Sequence, residues 1–205
     1  MSALERNSLN PQQYKALWIL VTAVLALLVS SPALARVFVY PQTSFFTEVW
    51  LLGPGHTAEN YPYNITANEN YRVFLDIANH LGSCAYYIVE VKFRNETESA
   101  PNSFNFTSSS LPSLYNISVF VANGETWELP VTFGFNYNVA QLHVGFESMT
   151  FNGLNFNLAG VSSDWNPQTK VYYGNLFFEL WIYNSATNTF QYHERFVSLL
   201  LNMTA

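Results

Sequence analysis

From Phe45 to the C-terminus, apolar and polar residues alternate with a period of two, and Gly, Pro and Asn punctuate the alternation. That pattern builds strands with one covered face and does not suit a helix, whose period is 3.6. The stretch Phe45–His80 carries it first. Phe45, Thr47, Val49 and Leu51 fall on one face, with Phe46, Glu48, Trp50 and Leu52 on the other. Gly53-Pro54-Gly55 breaks the run, because Pro fixes φ and Gly accepts the conformations of a tight turn. Alternation then resumes, with Tyr71, Val73, Leu75 and Ile77 opposed to Arg72, Phe74 and Asp76.

The rest of the chain continues in kind. Tyr87, Val89, Val91 and Phe93 share a face against Ile88, Glu90, Lys92 and Arg94. Residues 95–113 read as a polar loop that only Phe104, Phe106 and Leu111 could anchor. Tyr115–Ala122 and Trp127–Phe135 flank Asn123-Gly124, and Leu142–Phe151 and Leu154–Leu158 flank Asn152-Gly153. Asn-Gly predicts a type I′ hairpin in each case, since both central residues need positive φ. Residues 159–170 read as loop. Leu176–Tyr183 pairs with Thr189–Met203, a helix over Glu194–Met203 being the alternative. Val37–Tyr40 reads as a short lead-in strand stopped by Pro41. The sum is an all-β fold of eight or nine strands, a two-sheet immunoglobulin-like β-sandwich.

One segment departs from the pattern. Ala16–Val29 is uncharged and apolar, and uncharged residues continue to Ala35. With Arg6 and Lys15 before it and Ala33-Leu34-Ala35 before Arg36, the stretch suits a cleaved signal peptide. Its 20 uncharged residues also suit a retained anchor, at about 1.5 Å per residue across roughly 30 Å of hydrocarbon. Both readings divide the chain into a cytoplasmic N-terminus (1–15), a membrane anchor or signal (16–35) and an extracytoplasmic domain (36–205). The net charge of −6, without Lys/Arg clusters, excludes nucleic acid as a partner. Cys84 is the one cysteine, so no disulfide forms within the chain, and its strand-like surroundings predict a small buried hydrophobe.

Certain residues carry a resemblance. Phe46-Thr47-Glu48, Leu52-Gly53-Pro54, Ala58-Glu59-Asn60-Tyr61-Pro62, Asn64-Ile65-Thr66, Glu69 and Ile77-Ala78-Asn79-His80 resemble an archaeal membrane-protein family, domain of unknown function 1616. Gly124-Glu125-Thr126-Trp127, Pro130-Val131 and Phe178-Glu179-Leu180-Trp181 look like its later segments. The resemblance implies an extracytoplasmic immunoglobulin-like domain. It supplies no catalytic residue. Relatives associated with the family carry several N-terminal membrane helices, whereas this chain has one such segment.

Chemistry-bearing patterns are sparse. His56, His80, His143 and His193 lack close ligand spacing, although His56 and His80 could approach each other, so no metal or other cofactor is expected. Asp occurs only at 76 and 164, and no G-x-S-x-G elbow exists, which argues against a Ser/His/Asp hydrolase. Glu48, Glu90, Glu128, Glu147 and Glu179 read as solvent-facing charges. N-x-[ST] sequons stand at Asn64, Asn95, Asn105, Asn116 and Asn202, with Asn95 and Asn105 the best glycosylation acceptors, Asn202 next and Asn116 partly buried. Phe46, Trp50, Phe74, Phe177 and Trp181, with Tyr183, form an aromatic strip on the second faces of their strands.

The sequence therefore predicts a non-enzymatic cell-surface protein, an envelope component or accessory subunit of a membrane assembly. It would bind the membrane through its N-terminal segment and bind other proteins, or copies of itself, through the strip. One alternative is a secreted filament subunit that donates Arg36–Leu52 as a strand after cleavage near Ala35. The other is a carbohydrate-binding surface module using Trp181 or Trp50.

Overall fold

The computed structural model describes residues 11–38 and 44–204, which form two separate units. The first contains one helix, α1 (Pro11–Phe38). It takes in Val37 and Phe38, so the expected lead-in strand is absent there, and the remainder of that strand lies outside the described residues. Side-chain surroundings in α1 are described from Tyr14 to Val29, and all of these residues are exposed. Thr22 satisfies its hydroxyl inside the helix by donating to the Trp18 carbonyl. Among the described residues no helix is long and apolar enough to cross a membrane; the uncharged run itself continues past Val29 to Ala35.

The second unit is all strand and loop. Its eleven strands are β1 (Phe46–Leu52), β2 (Asn64–Thr66), β3 (Asn70–His80), β4 (Ala85–Arg94), β5 (Tyr115–Val121), β6 (Thr126–Ala140), β7 (His143–Phe151), β8 (Leu154–Asn157), β9 (Ser162–Asn166), β10 (Val171–Asn184) and β11 (Thr189–Thr204). One hydrogen-bonded path runs β1-β3-β6-β7-β9-β10-β11-β2, with β4 and β5 branching from β10 and β8 from β7. The sheet is continuous because β9 pairs with β7 through His143↔Asp164 and with β10 through Val171↔Asn166. The two separate sheets expected are therefore replaced by one sheet curled onto itself. The missing signal was β9, whose sequence Ser-Ser-Asp-Trp-Asn has the polarity of a loop.

Inside the curl, residues of period two meet. Val73, Leu75 and Ile77 of β3 and Val131, Phe133 and Phe135 of β6 face Tyr87, Val89, Val91 and Phe93 of β4 and Leu176, Phe178 and Leu180 of β10. Ring contacts tie the layers: Phe93 to Phe135 at 4.8 Å and Phe151 to Phe178 at 6.3 Å. Gly174 is part of this packing, since a Cβ there would stand 2.4 Å from Met203 Cε.

Asn152 and Gly153 both have positive φ and make the β7–β8 hairpin as expected. Asn123-Gly124 does not make one. Only Gly124 has positive φ, and β5 pairs with β4 while β6 pairs with β3 and β7. The turn is thus a crossover between layers, stapled by Gly124 N–H to Asn79 O at 2.7 Å. β10 and β11 form the predicted hairpin, and the strand reading of 194–203 holds over the helix.

Candidate functional site

β1, at one end of the path, and β11, next to the three-residue terminal β2, do not pair with each other. β1 bonds only to β3, and β11 bonds to β10 on one side but to β2 only at Asn202–Thr204 on the other. In an antiparallel ladder alternate residues turn both N–H and C=O away from the partner. Thr47 O and Leu51 O point away from β3, because Arg195 Nε donates to the first at 3.3 Å and Tyr61 OH to the second at 2.7 Å. Val49, between them, therefore presents its N–H and C=O to the open side. On β11, Asn202 N–H donates to Tyr63 O at 2.7 Å, so the same alternation turns Ser198 and Leu200 toward the gap.

Between these edges lies a groove of about 720 Å³, with Val49 and Leu51 on one wall and Val197 and Leu199 on the other. Trp50, Leu52, Ala58, Tyr61, Pro62 and Leu200 form its rim. At one end β1 and β11 are bridged through side chains, with His193 Nε2 2.8 Å from Thr47 Oγ1. Burial and the Arg195 charge push His193 below the usual imidazole range, so the ring is neutral. At the other end the loop 53–63 carries the chain from β1 to β2 and closes the gap. Its first turn is tight: Gly53 N–H donates to Thr57 O at 2.8 Å, and a Cβ on Gly53 would lie 1.9 Å from Glu59 O.

That loop also covers the outer face of β3. His56 stacks on Phe74 at 3.7 Å and approaches Glu128 Oε2 at 3.1 Å. Phe74 is consequently buried, as is Asp76, whose Oδ2 has no hydrogen-bond partner. Burial first, and Glu128 second, raise the Asp76 pKa to about 6. His56 and His80 do not meet; they sit at opposite ends of the β1–β3 ladder, His80 against Phe46 at 4.7 Å. His143 instead approaches Asp164 at 2.7 Å on the surface.

A second loop, 95–113, covers the outer face of β10. Here the expectation of solvent-facing glutamates fails at Glu179, which is fully buried. Its Oε2 lies 2.7 Å from Lys92 Nζ, and its Oε1 accepts the Ser109 N–H at 2.6 Å. Lys92 also reaches Glu90 at 2.9 Å and Ser109 O at 3.2 Å. Polar atoms anchor this loop, whereas the expected anchors Phe104 and Phe106 are exposed. Phe177 lies on the same covered face, fully buried.

The aromatic strip is thus broken up. Phe74 and Phe177 are core to their loops, Trp181 is half-buried against Tyr192, and Phe46 and Tyr183 are partly exposed. Trp50 alone of the strip lines the groove. Cys84 is also corrected: it precedes β4 in a turn and is exposed. Among the described residues no group of three or more His, Cys, Asp or Glu is placed to hold a metal.

The groove was missed because openness is a property of pairing between strands about 150 residues apart, which periodicity does not encode. The unpaired Val49 edge and the closing role of Tyr61 lie within the run that carries the family resemblance. A family model described as a domain of unknown function, DUF1616, matches residues 41–147, just over half of the chain. The chain belongs to that family. No curated protein matches it. Among solved structures, the DUF1616 chain is similar to a β-glucosidase from Listeria innocua in complex with glucose, at 10% identity and a TM-score of 0.40. The match covers 81% of this chain and spans 17% of that one. It is also similar to the CARDB domain of the PF1109 protein from Pyrococcus furiosus, in complex with di-metal ions. That match has 10% identity and a TM-score of 0.37, covering 80% of this chain and 94% of the other. Neither score reaches the level of a shared fold.

Proposed function

We propose that this protein is a non-enzymatic interaction module, held outside the cell by its N-terminal helix, whose groove takes an extended segment of a partner protein as an added strand. The observation that carries the reading is the pair of unpaired strand edges facing each other across an apolar groove. Backbone N–H and C=O groups at Val49, Ser198 and Leu200 are met together only by another backbone, and apolar walls select a strand with apolar side chains toward the core. The two packed layers of the curl support an immunoglobulin-like sandwich that is open at this side.

Support for the anchor comes from α1. Leu17, Trp18, Ile19, Leu20, Leu25, Leu27 and Leu28 are all exposed, on every side of the helix, which suits an apolar surrounding. The strand-donating filament has less support, because Phe46–Leu52 is already β1 in its own sheet and Arg36–Phe38 is helical.

Two measurements on intact cells test the reading. A membrane-impermeant maleimide should label Cys84, and Cys84→Ser should abolish the labelling; an unreactive Cys84 in cells that reacts after lysis overturns the external placement. A photo-crosslinking residue at Leu200 should give a protein adduct that Val49→Pro removes, since Pro deletes the N–H at the edge. Adducts with lipid only, or none, overturn the groove as the contact.

A further inference from the structure

The five sequons differ in what their side-chain amides already do. Asn95 Nδ2 donates to Ser162 O at 2.8 Å, while its Oδ1 accepts from Thr97 and Glu98 N–H groups at 2.9 and 3.0 Å. Asn202 Nδ2 donates to Asn64 Oδ1 at 2.9 Å, and its Oδ1 accepts the Tyr172 N–H at 3.2 Å. Either nitrogen would have to break a bond inside the fold before reacting. Asn64 and Asn116 are exposed, yet each lies within a hydrogen-bonded strand, β2 and β5.

Asn105 differs from all four. It sits at the tip of a turn closed by mutual backbone bonds between Asn102 and Thr107, at 2.9 and 3.1 Å. Asn102 Oδ1 caps the N–H groups of Phe104 and Asn105, and Asn105 itself is exposed. On either side stand two phenylalanines with no ring partner among the described residues: Phe104 is 91% exposed and Phe106 56%. Phe106 holds φ at +53°, a conformation that non-glycine residues seldom adopt. A turn built to present two bare rings beside a free amide needs a cover with an apolar face and polar edges, and a sugar ring has both.

We propose that Asn105 is the N-glycosylated residue of this protein and that Phe104 and Phe106 pack against the first sugar. The co-reactant is a polyprenyl-phosphate- or pyrophosphate-linked oligosaccharide. Asn105 Nδ2 attacks the anomeric carbon, the bond from that carbon to the phosphate oxygen breaks, the lipid phosphate leaves, and one Nδ2 proton passes to a base of the transferase. Thr107, which carries the sequon hydroxyl, bonds to Asn102 through its backbone N–H and C=O. The proposal rests on the external placement given above.

Glycopeptide mapping of the full chain from native membranes tests it, run beside the Cys84 labelling. The expected result is a glycan mass on the Asn105 peptide, lost in Asn105→Gln and in Thr107→Ala, with Asn95 and Asn202 unmodified. Asn105→Gln should also lower the melting temperature by about 2–4 °C, and should lower it no further when Phe104 and Phe106 are both Ala. A bare Asn105 in protein whose Cys84 reacts from outside overturns the glycan and leaves the placement standing. A bare Asn105 with Cys84 unreactive overturns both. An occupied Asn105 whose removal costs the same with and without the two rings overturns the packing.

Discussion

Asp76 is a carboxylate held where it would rather be protonated. Its pKa is lifted from the ordinary 3.8 to about 6, by burial and then by Glu128. The folded state therefore binds a proton more tightly than the unfolded chain. The stabilisation is complete below about pH 3.8 and is lost as pH rises through 6, an effect of up to about 3 kcal/mol. Asp76→Asn removes the charge and should raise the melting temperature at pH 7.5 while changing it little at pH 4. His193, depressed by burial, works in the opposite direction below its ordinary pKa, so the comparison of wild type with variant isolates Asp76. Thermal melts at the two pH values check this; a gain at pH 4 equal to that at pH 7.5 refutes it. The alternation places Asp76 on the face of Arg72 and Phe74. His56, which follows the Gly-Pro-Gly turn 20 positions before Asp76, stacks on Phe74 of the same face, and alternation says nothing about which loop folds over which face. Cys84 failed for the converse reason: a strand was extended one residue too far into a turn.

At the scale of elements, strands were legible and their covers were not. Inner-face residues of β3, β4 and β10 follow the alternation, because burial repeats every second residue. The outer faces depend on two loops. The loop 95–113 hangs on Lys92 and on Glu179, a charge that the sequence reading assigned to solvent. Lys92 keeps Glu90 if Glu179 is lost, but Glu179 has no other cation among the described residues. Lys92→Met should therefore cost about 3–5 kcal/mol, whereas Lys92→Met with Glu179→Leu should recover most of that loss. Denaturant titrations of the three proteins decide it, and equal losses in the single and double variants would sink the claim. The loop 53–63 hangs on its first residue. Gly53→Ala sets a Cβ against the Glu59 carbonyl, so the turn must open, at roughly 1–3 kcal/mol. Because this turn leads to Tyr61, the variant should also release the Leu51 carbonyl, and faster proteolysis within 53–63 would report it.

For the β unit as a whole, closure is the decisive property. A curled sheet of eleven strands could hide its open edges by pairing them, yet among the described residues β1 and β11 are hydrogen-bonded to each other through the His193 and Arg195 side chains, and Tyr61 caps the Leu51 carbonyl beyond. Between those clamps, unpaired backbone borders apolar side chains. If the groove is open in the isolated protein, the amides of Val49, Ser198 and Leu200 should exchange with solvent deuterium far faster than those of Ile77, Val131 and Phe178, which are fully buried. In native membranes, with a strand bound, the same three amides should slow by orders of magnitude while those of the core stay unchanged. Protection at Val49 and Leu200 already present in the purified chain would mean that the protein closes its own seam, and the partner reading would fall. Fast exchange in both settings would leave an open edge with nothing on it. Only selective protection in the membrane, lost again in Val49→Pro, matches a strand added between β1 and β11.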